Sequence, residues 1–305
     1  MMEAIRPPVD PAQIDRELGP GSLVRSFRGI AIHVIDGRNV PAVMEEIGRI
    51  RETEFRAEGG GTGKPVDVDD YDIGDRPFRQ LVAWDTQSSE IVGMYRFVAA
   101  AEARSHDAYE LPTARLFDFS PAFKDDVLPH TIELGRSVVN RSAKRAVMGL
   151  FAAWSGLGAI VAEFPEYRHF FGKFTTYPSF DPKALALLLG FLDIYCGDPD
   201  AMVVPKPELA VTTDPGARDV FCGSDYASDY ELLAEKLKEL GQMIPPLVIS
   251  YLGLTSTMKC YGTARNPYFG NVLETAILIN IADIGQKQWK RFVTSYESKN
   301  PAALR

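Results

Sequence analysis

The sequence predicts an α/β fold, on three observations. Stretches with strand character, at 78–85, 91–101 and 131–139, are interleaved with stretches of helical spacing at 40–58 and 230–240. The alternation runs through the whole chain, and no internal repeat breaks it. The 305 residues, 46% hydrophobic and 24% charged, are enough for one elaborated domain.

The elements follow in order. Residues 1–20 are proline-rich and polar and are expected as a loose arm ahead of a single domain over 21–305. Residues 23–35 alternate as one or two short strands broken at Gly29. After the Gly37-Arg38-Asn39 turn, Val43, Ile47, Ile50 and Phe55 mark one face of a helix. "GGGTGKPVDVDDYDIGD" (59–75) reads as a glycine hinge running into an acidic loop; it lacks the Lys-Ser/Thr pair and preceding strand of a phosphate loop, so ATP is not implied. The strands at 78–85 and 91–101 form a hairpin across "TQSSE" and carry Trp84 and Arg96. A short aromatic strand, Leu116–Phe119, and a helical turn near Phe123 lead to 131–139. "AVMGLFAAWSGLGAIVA" (146–162) is apolar all round, just short of a bilayer span and diluted by glycines, and is expected as a core helix. "RHFFGKFTTYPSF" is the next strand, and Asp181 caps a helix. The segment 181–243 is expected as an insertion of loop and helix. Strands near 247–254 and 274–281 precede a last helix at 283–296.

Charge and cysteine usage exclude several functions. A net charge of -8 leaves no basic surface for a nucleic-acid backbone. Three cysteines form no CxxC pair, and four scattered histidines give no zinc spacing, so neither a metal nor a disulfide framework is expected. Cys260 has no histidine in its motif to activate it. The N-terminal segment has no apolar run after its charges, which predicts a cytoplasmic protein. In the last helix, Trp289 and Phe292 beside Lys287, Lys290 and Arg291 make a weak interfacial signature, consistent with peripheral contact at the inner membrane or with a plain surface helix.

The chemistry concentrates in "TIELGRSVV" (131–139), where Glu133 and Arg136 interrupt an apolar strand. Three residues apart, they face opposite ways on a regular pleat, unless Gly135 permits a bulge that turns both heads to one side and frees a backbone N–H. Burial beside Phe117 and Phe119 would raise the Glu133 pKa and Arg136 would lower it. Arg51 and Phe55 share a helix face, Asp67, Asp69 and Asp72 follow in the loop, and Arg96 lies on a strand. Each alone reads as an ordinary surface or turn residue.

As a set, Arg51, Phe55, Asp67-x-Asp69-x-x-Asp72, Arg96 and Glu133-Leu-Gly-Arg136 resemble the pattern of acyl-homoserine-lactone synthases. "IVGMYRF", "IELGRSVV", "IPPLVISYLGL" and "YGTARNPYFGNVLETAILI" extend a closer resemblance, over about 40–290, to the hemolysin-like acyltransferases of the GNAT superfamily, which include ornithine and glycine lipid N-acyltransferases. That resemblance implies a mixed twisted sheet splayed between its fourth strand (131–139) and its fifth (169–177), with the thioester in the gap. It implies Glu133 as the base for an attacking amine and the Gly135 amide as an oxyanion donor. Arg96 and Arg136 would clamp a substrate carboxylate or order the acidic loop. Arg51, Phe55, Asp67, Asp69, Asp72 and Phe117 would line the substrate, and Val138, Arg141, Lys144 and Arg145 would meet the donor's 4'-phosphopantetheine.

One departure bears on the donor. In "RSAKRA" (141–146), Lys144 stands where the superfamily's diphosphate turn has its first glycine, which favours acyl carrier protein over acyl-CoA. Leu150, Trp154, Phe170, Phe171 and Phe174 are candidates for an acyl slot, and Tyr167, Tyr177 or Tyr261 for protonating the leaving thiolate. Three functions stay open: an N-acyltransferase that acylates a small amino acid in aminolipid synthesis, a lactone-signal synthase, and a non-catalytic acyl binder.

Overall fold

The computed structural model describes residues 2–106, 108–212 and 214–297. In chain order the elements are α1 (Pro11–Glu17), β1 (Leu23–Phe27), β2 (Ile30–Asp36), α2 (Pro41–Ala57), α3 (Asp70–Ile73), β3 (Arg79–Asp85), β4 (Glu90–Ala99), β5 (Arg104–Ser105), β6 (Ala108–Tyr109), β7 (Phe117–Phe119), β8 (Thr131–Val139), α4 (Gly149–Glu163), β9 (His169–Thr176), α5 (Pro182–Cys196), β10 (Val203–Pro205), α6 (Tyr226–Glu239), α7 (Pro246–Leu252), β11 (Lys259–Asn266), β12 (Val272–Asn280) and α8 (Gln286–Trp289). Eight strands form one sheet in the order β1-β2-β3-β4-β8-β9-β12-β11. Every neighbouring pair is antiparallel except β8 and β9, which run parallel.

Alternation along the strands divides the core. Tyr95 and Phe97 on β4, Ile132 on β8 and Phe170 on β9 face α4, in a cluster that also takes in α5, α6 and α7. On the other face Met94 joins the cluster built on α2, whereas Val98 joins a second one containing Phe117, Phe119, Phe123 and Phe171. Arg96, between them in the strand, falls on the same face in the gap between two apolar clusters. The fold thus puts a polar strip in the middle of one sheet face.

α4 lies against this sheet at backbone contact. A Cβ added at Gly149 would stand 2.2 Å from the Val92 carbonyl oxygen, and one at Gly93 would stand 2.5 Å from the Gly149 carbonyl oxygen. Gly149→Val therefore forces helix and sheet apart and is expected to cost about 1–3 kcal/mol, read as a lowered urea midpoint. The stretch Ala146–Glu163 is long and apolar enough to cross a membrane by composition, yet 61% of its span is buried within this core.

Four expectations change. Residues 11–17 are not a loose arm: Asp10 caps α1, and Ile14 and Leu18 are buried against α2. The 23–35 segment makes two strands, so 131–139 is the fifth strand of the main sheet and 169–176 the sixth, one later than expected. The apolar run 247–254 is not a strand but α7, because Pro246 sits at its first turn, where a missing N–H costs nothing and φ is already helical. The strand of that region is β11. Within the expected insertion, Leu188, Phe191, Leu233 and Leu237 are fully buried in the main core. Of the expected domain, 298–305 lie outside the described residues.

Candidate active site

β8 and β9 pair only from Thr131 with His169 to Leu134 with Gly172, and then separate. At this last rung a Cβ on Gly172 would stand 2.6 Å from the Leu134 carbonyl oxygen, so only glycine lets the strands close up before they part. Beyond it opens a cavity of about 620 Å³, whose walls include Leu134, Gly135, Arg136 and Ser137 from β8 and Lys173, Thr175 and Thr176 from β9. The sheet is splayed where expected.

The bulge is present but displaced by one residue. Arg96 pairs with Gly135 and Met94 with Val138, leaving Arg136 and Ser137 together opposite Tyr95. The left-handed residue is Arg136, at φ 50°, and not Gly135. An arginine takes this conformation because its head is held. Its Nε lies 2.7 Å from Asp67 Oδ2, its Nη2 donates to Asp67 Oδ1 at 3.1 Å, and its guanidinium lies 4.5 Å from the Phe269 ring centroid.

Register then settles which residues meet. Arg96, Glu133, Gly135, Lys173, Thr175 and Glu274 fall on one sheet face, since Val98 pairs with Glu133, Glu133 aligns with Phe171, and Thr175 pairs with Glu274. Glu133 is 3% exposed. Its Oε1 accepts from Thr113 N at 3.1 Å and Thr113 Oγ1 at 2.8 Å, while its buried Oε2 has no hydrogen-bond partner among the described residues. Thr113 Oγ1 in turn accepts from Lys173 Nζ at 3.1 Å, and Lys173 Nζ lies 3.5 Å from Glu274 Oε2. Burial pushes the Glu133 carboxyl above the ordinary glutamate range, against the opposing Lys173 charge and the Thr113 hydrogen bonds. The main opposing charge is Lys173, not Arg136 as expected.

The acidic loop forms a buried lattice with three arginines. Arg51 Nη1 donates to Asp72 Oδ1 at 2.9 Å and its Nη2 to Gln80 Oε1 at 2.6 Å; Arg96 Nη1 donates to Asp69 Oδ1 at 2.6 Å and lies 3.1 Å from Asp72 Oδ1. Burial would raise the Asp72 carboxyl, but the Arg51 and Arg96 charges and the Asp69 N–H outweigh it and hold it well below the usual range.

These contacts sort the expected site residues. Gly135, Arg136, Arg96, Phe55 and Arg141 line the cavity. Arg51, Asp67 and Asp72 do not: they are 0% exposed and spent on the lattice, which leaves Arg96 and Arg136 as loop-ordering groups. Asp69 belongs to the same lattice. Phe117 is buried in the second core cluster and Val138 in the α2 cluster, so neither side chain lines the cavity. Arg141 is tied to Glu54 and Glu58, Arg145 to Asp85 and the Arg28 carbonyl, and Lys144 is exposed.

Of the three tyrosines, Tyr177 lines the cavity, with its hydroxyl pushed up to about 12 by burial, whereas Tyr261 is core and Tyr167 lines a separate hollow. Trp154 and Phe170, with Leu134, wall a smaller apolar recess on the α4 face; Phe171 and Phe174 are core, and Leu150 packs at its edge. Trp289 packs and Phe292 is buried against α4's cluster, so the interfacial signature of the last helix is taken up by the core. Among the described residues no group of three or more His, Cys, Asp or Glu could hold a metal ion.

Sequence reasoning missed Thr113, Lys173 and Glu274. The signal was there for two of them: Lys173 is the one charge in "HFFGKFTT" and Glu274 the one in "VLETAILI", opposite in sign on strands that pair. Thr113 sits in a loop with no pattern.

The forked mixed sheet agrees with the acetyltransferase (GNAT) domain family, whose pattern matches residues 50–154. The chain belongs to the GNAT acyltransferase superfamily and is an enzyme that uses an acyl thioester donor. Over its full length it is 39% identical to the glycine N(alpha)-acyltransferase of Phocaeicola vulgatus, covering 97% of that protein. It is also 39% identical to the glycine N(alpha)-acyltransferase of Bacteroides thetaiotaomicron, covering 94% of that one. Among solved structures, the AHL synthase LasI aligns with 88% of this chain and 98% of its own at 9% identity, with a TM-score of 0.43.

Proposed function

We propose that this enzyme moves a long acyl group, plain or 3-hydroxylated, from acyl carrier protein to the amino group of glycine or a similarly small amino acid. The observation that carries the chemistry is Glu133: a buried carboxylate with a raised pKa and one unpartnered oxygen, below the point where two strands part around a cavity. Such a group is suited to take a proton from an ammonium, directly or through one water. The amine then attacks the thioester carbonyl, C–N forms and C–S breaks. Of the two protons that nitrogen loses, one ends on the thiol and the other leaves through Glu133. The bulge at 136–137 is where a backbone N–H would meet the developing oxyanion, an effect of about 3 kcal/mol per donor.

Among the described residues Tyr177 is the candidate tyrosine that lines the cavity, which supports it as the proton donor to the thiolate, and with its raised pKa it stays protonated at neutral pH. Tyr177→Phe is expected to lower kcat about 10²-fold with little change in donor affinity, measured by steady-state thiol release.

The turn after β8 favours a carrier-protein donor. Its backbone N–H groups are already taken: Arg141 N by Glu54 Oε1 at 3.0 Å, Ser142 N by Asn140 Oδ1 at 3.2 Å, Ala143 N by the Asn140 carbonyl at 3.2 Å, and Lys144 N by Glu90 Oε2 at 3.0 Å. Two of those acceptors are carboxylates, which oppose a diphosphate. The full-length likeness to two glycine acyltransferases favours this function over lactone synthesis. The test is to incubate the purified enzyme and glycine with palmitoyl-carrier protein or palmitoyl-CoA and follow products by mass spectrometry. N-palmitoylglycine formed faster from the carrier protein is expected; no amide from either donor overturns the proposal.

A further inference from the structure

We infer that Lys173 and Glu274 are the acceptor's specificity pair: Lys173 reads the amino acid's carboxylate and Glu274 holds its ammonium. The inference rests on the acyl-transfer function proposed above.

Among the described residues four cations line the cavity, and three are committed. Arg96 is spent on Asp69 and Asp72, Arg136 on Asp67, and Arg141 on Glu54 and Glu58. Lys173 is the exception. Its single ion pair, to Glu274 Oε2, is 3.5 Å long, too long for a good charge-assisted hydrogen bond, and its one hydrogen bond in the structure goes to the neutral Thr113 hydroxyl. A lysine ammonium has three donors, and from its half-buried place on the wall this one can turn the other two toward the cavity.

Glu274 is the complementary case. It is 5% exposed, lines the same cavity, and its Oε2 is buried without a hydrogen bond from any described residue. A buried carboxylate and a half-buried ammonium that face each other without a short contact, on a wall that opens into a cavity, are an incomplete pair. An α-amino acid zwitterion completes it, because it brings both missing charges one carbon apart. The two side chains project from the same face of adjacent strands, Thr175 pairing with Glu274 and Lys173 with Ala276, so they stand diagonally across the rung. Lys173 also joins this pair to the base through Thr113, whose hydroxyl accepts from Nζ and donates to Glu133 Oε1. An acceptor seated here lies on the same sheet face as Glu133. A simple alkylamine has no group for Lys173.

The test compares glycine with glycinamide, which keeps the amine and lacks the carboxylate, at saturating palmitoyl-carrier protein. For Lys173→Met, kcat/KM for glycine is expected to fall about 10–100-fold, mostly through KM, with little change for glycinamide. For Glu274→Gln, KM is expected to rise for both acceptors, since both carry the ammonium. Each single change leaves the partner's charge alone, the buried one of Glu274 or the half-buried one of Lys173, so the charge-balanced double variant Lys173→Met/Glu274→Gln is included; it too should lose the wild-type preference for glycine. A glycine-to-glycinamide ratio unchanged from wild type in the folded double variant overturns this inference while acyl transfer stands. Wild-type enzyme that acylates neither amine overturns the acyl-transfer function itself.

Discussion

Glu133→Gln is expected to lower kcat by about 10²–10⁴-fold while leaving donor affinity intact. Glutamine is isosteric, and its amide oxygen still accepts from the Thr113 N–H and hydroxyl, so the fork and cavity should be undisturbed. Stability separates this from a structural defect. A carboxyl whose pKa is raised on folding binds its proton more tightly in the native state, so its contribution is full below the unfolded pKa and is lost as pH rises through the folded one. Above the ordinary glutamate range the wild type bears the cost of that raised pKa and the glutamine variant does not. The variant should therefore melt at or above the wild-type temperature at pH 8, measured by calorimetry. A variant that is both inactive and markedly less stable would mean that Glu133 holds the fold together instead of moving a proton.

The largest stability effect is expected at Arg51. Arg51→Met removes the fully buried partner of Asp72 and Gln80 and leaves the buried Asp72 carboxylate to Arg96, which Asp69 already shares, a loss of roughly 3–5 kcal/mol and a fall in Tm on the order of 10 °C. The pH dependence has the opposite sign to that of Glu133. The Asp72 pKa is depressed on folding, so its contribution is present above the unfolded carboxylate pKa and is lost only as pH falls through the native value. Wild type should keep this support well into acid, whereas the variant should unfold at a distinctly higher pH. Thermal melts from pH 7 down to pH 3 test both statements. An Arg51→Met protein as stable as wild type would show that the lattice adds nothing to the fold.

What the sequence made legible was periodic. β3, β4, β8 and β9, the helices α2 and α4, and the parting of β8 from β9 follow from alternation, helical spacing and the resemblance carried by the Glu133-to-Arg136 motif. Where periodicity is silent, expectation failed. The run 247–254 has strand composition, and only the proline at its head, read as a helix start, reverses the assignment. The bulge was expected on Gly135 because glycine reaches positive φ freely, but Arg136 takes it, since the Asp67 ion pair and the Phe269 ring offset a strain of about 1–2 kcal/mol. That compensation is made by residues about 70 and 130 positions away and has no local signature. The aspartates illustrate the same limit. Their spacing announced a functional loop, but only the coordinates distinguish residues that touch the cavity from those that support its wall. Lys173 and Glu274 were visible as lone charges in apolar strands, and it took the β9–β12 register to make them a pair.

The central claim is that a buried carboxylate at the fork of β8 and β9 takes the proton from the attacking amine. Its most direct measurement is the single-turnover rate of thiol release, from pH 5 to 9, for wild type and Glu133→Gln side by side. In the wild type the rate should climb through an ionisation above the ordinary glutamate range, and that step should be missing from the glutamine variant. Identical pH profiles in the two proteins would contradict the account.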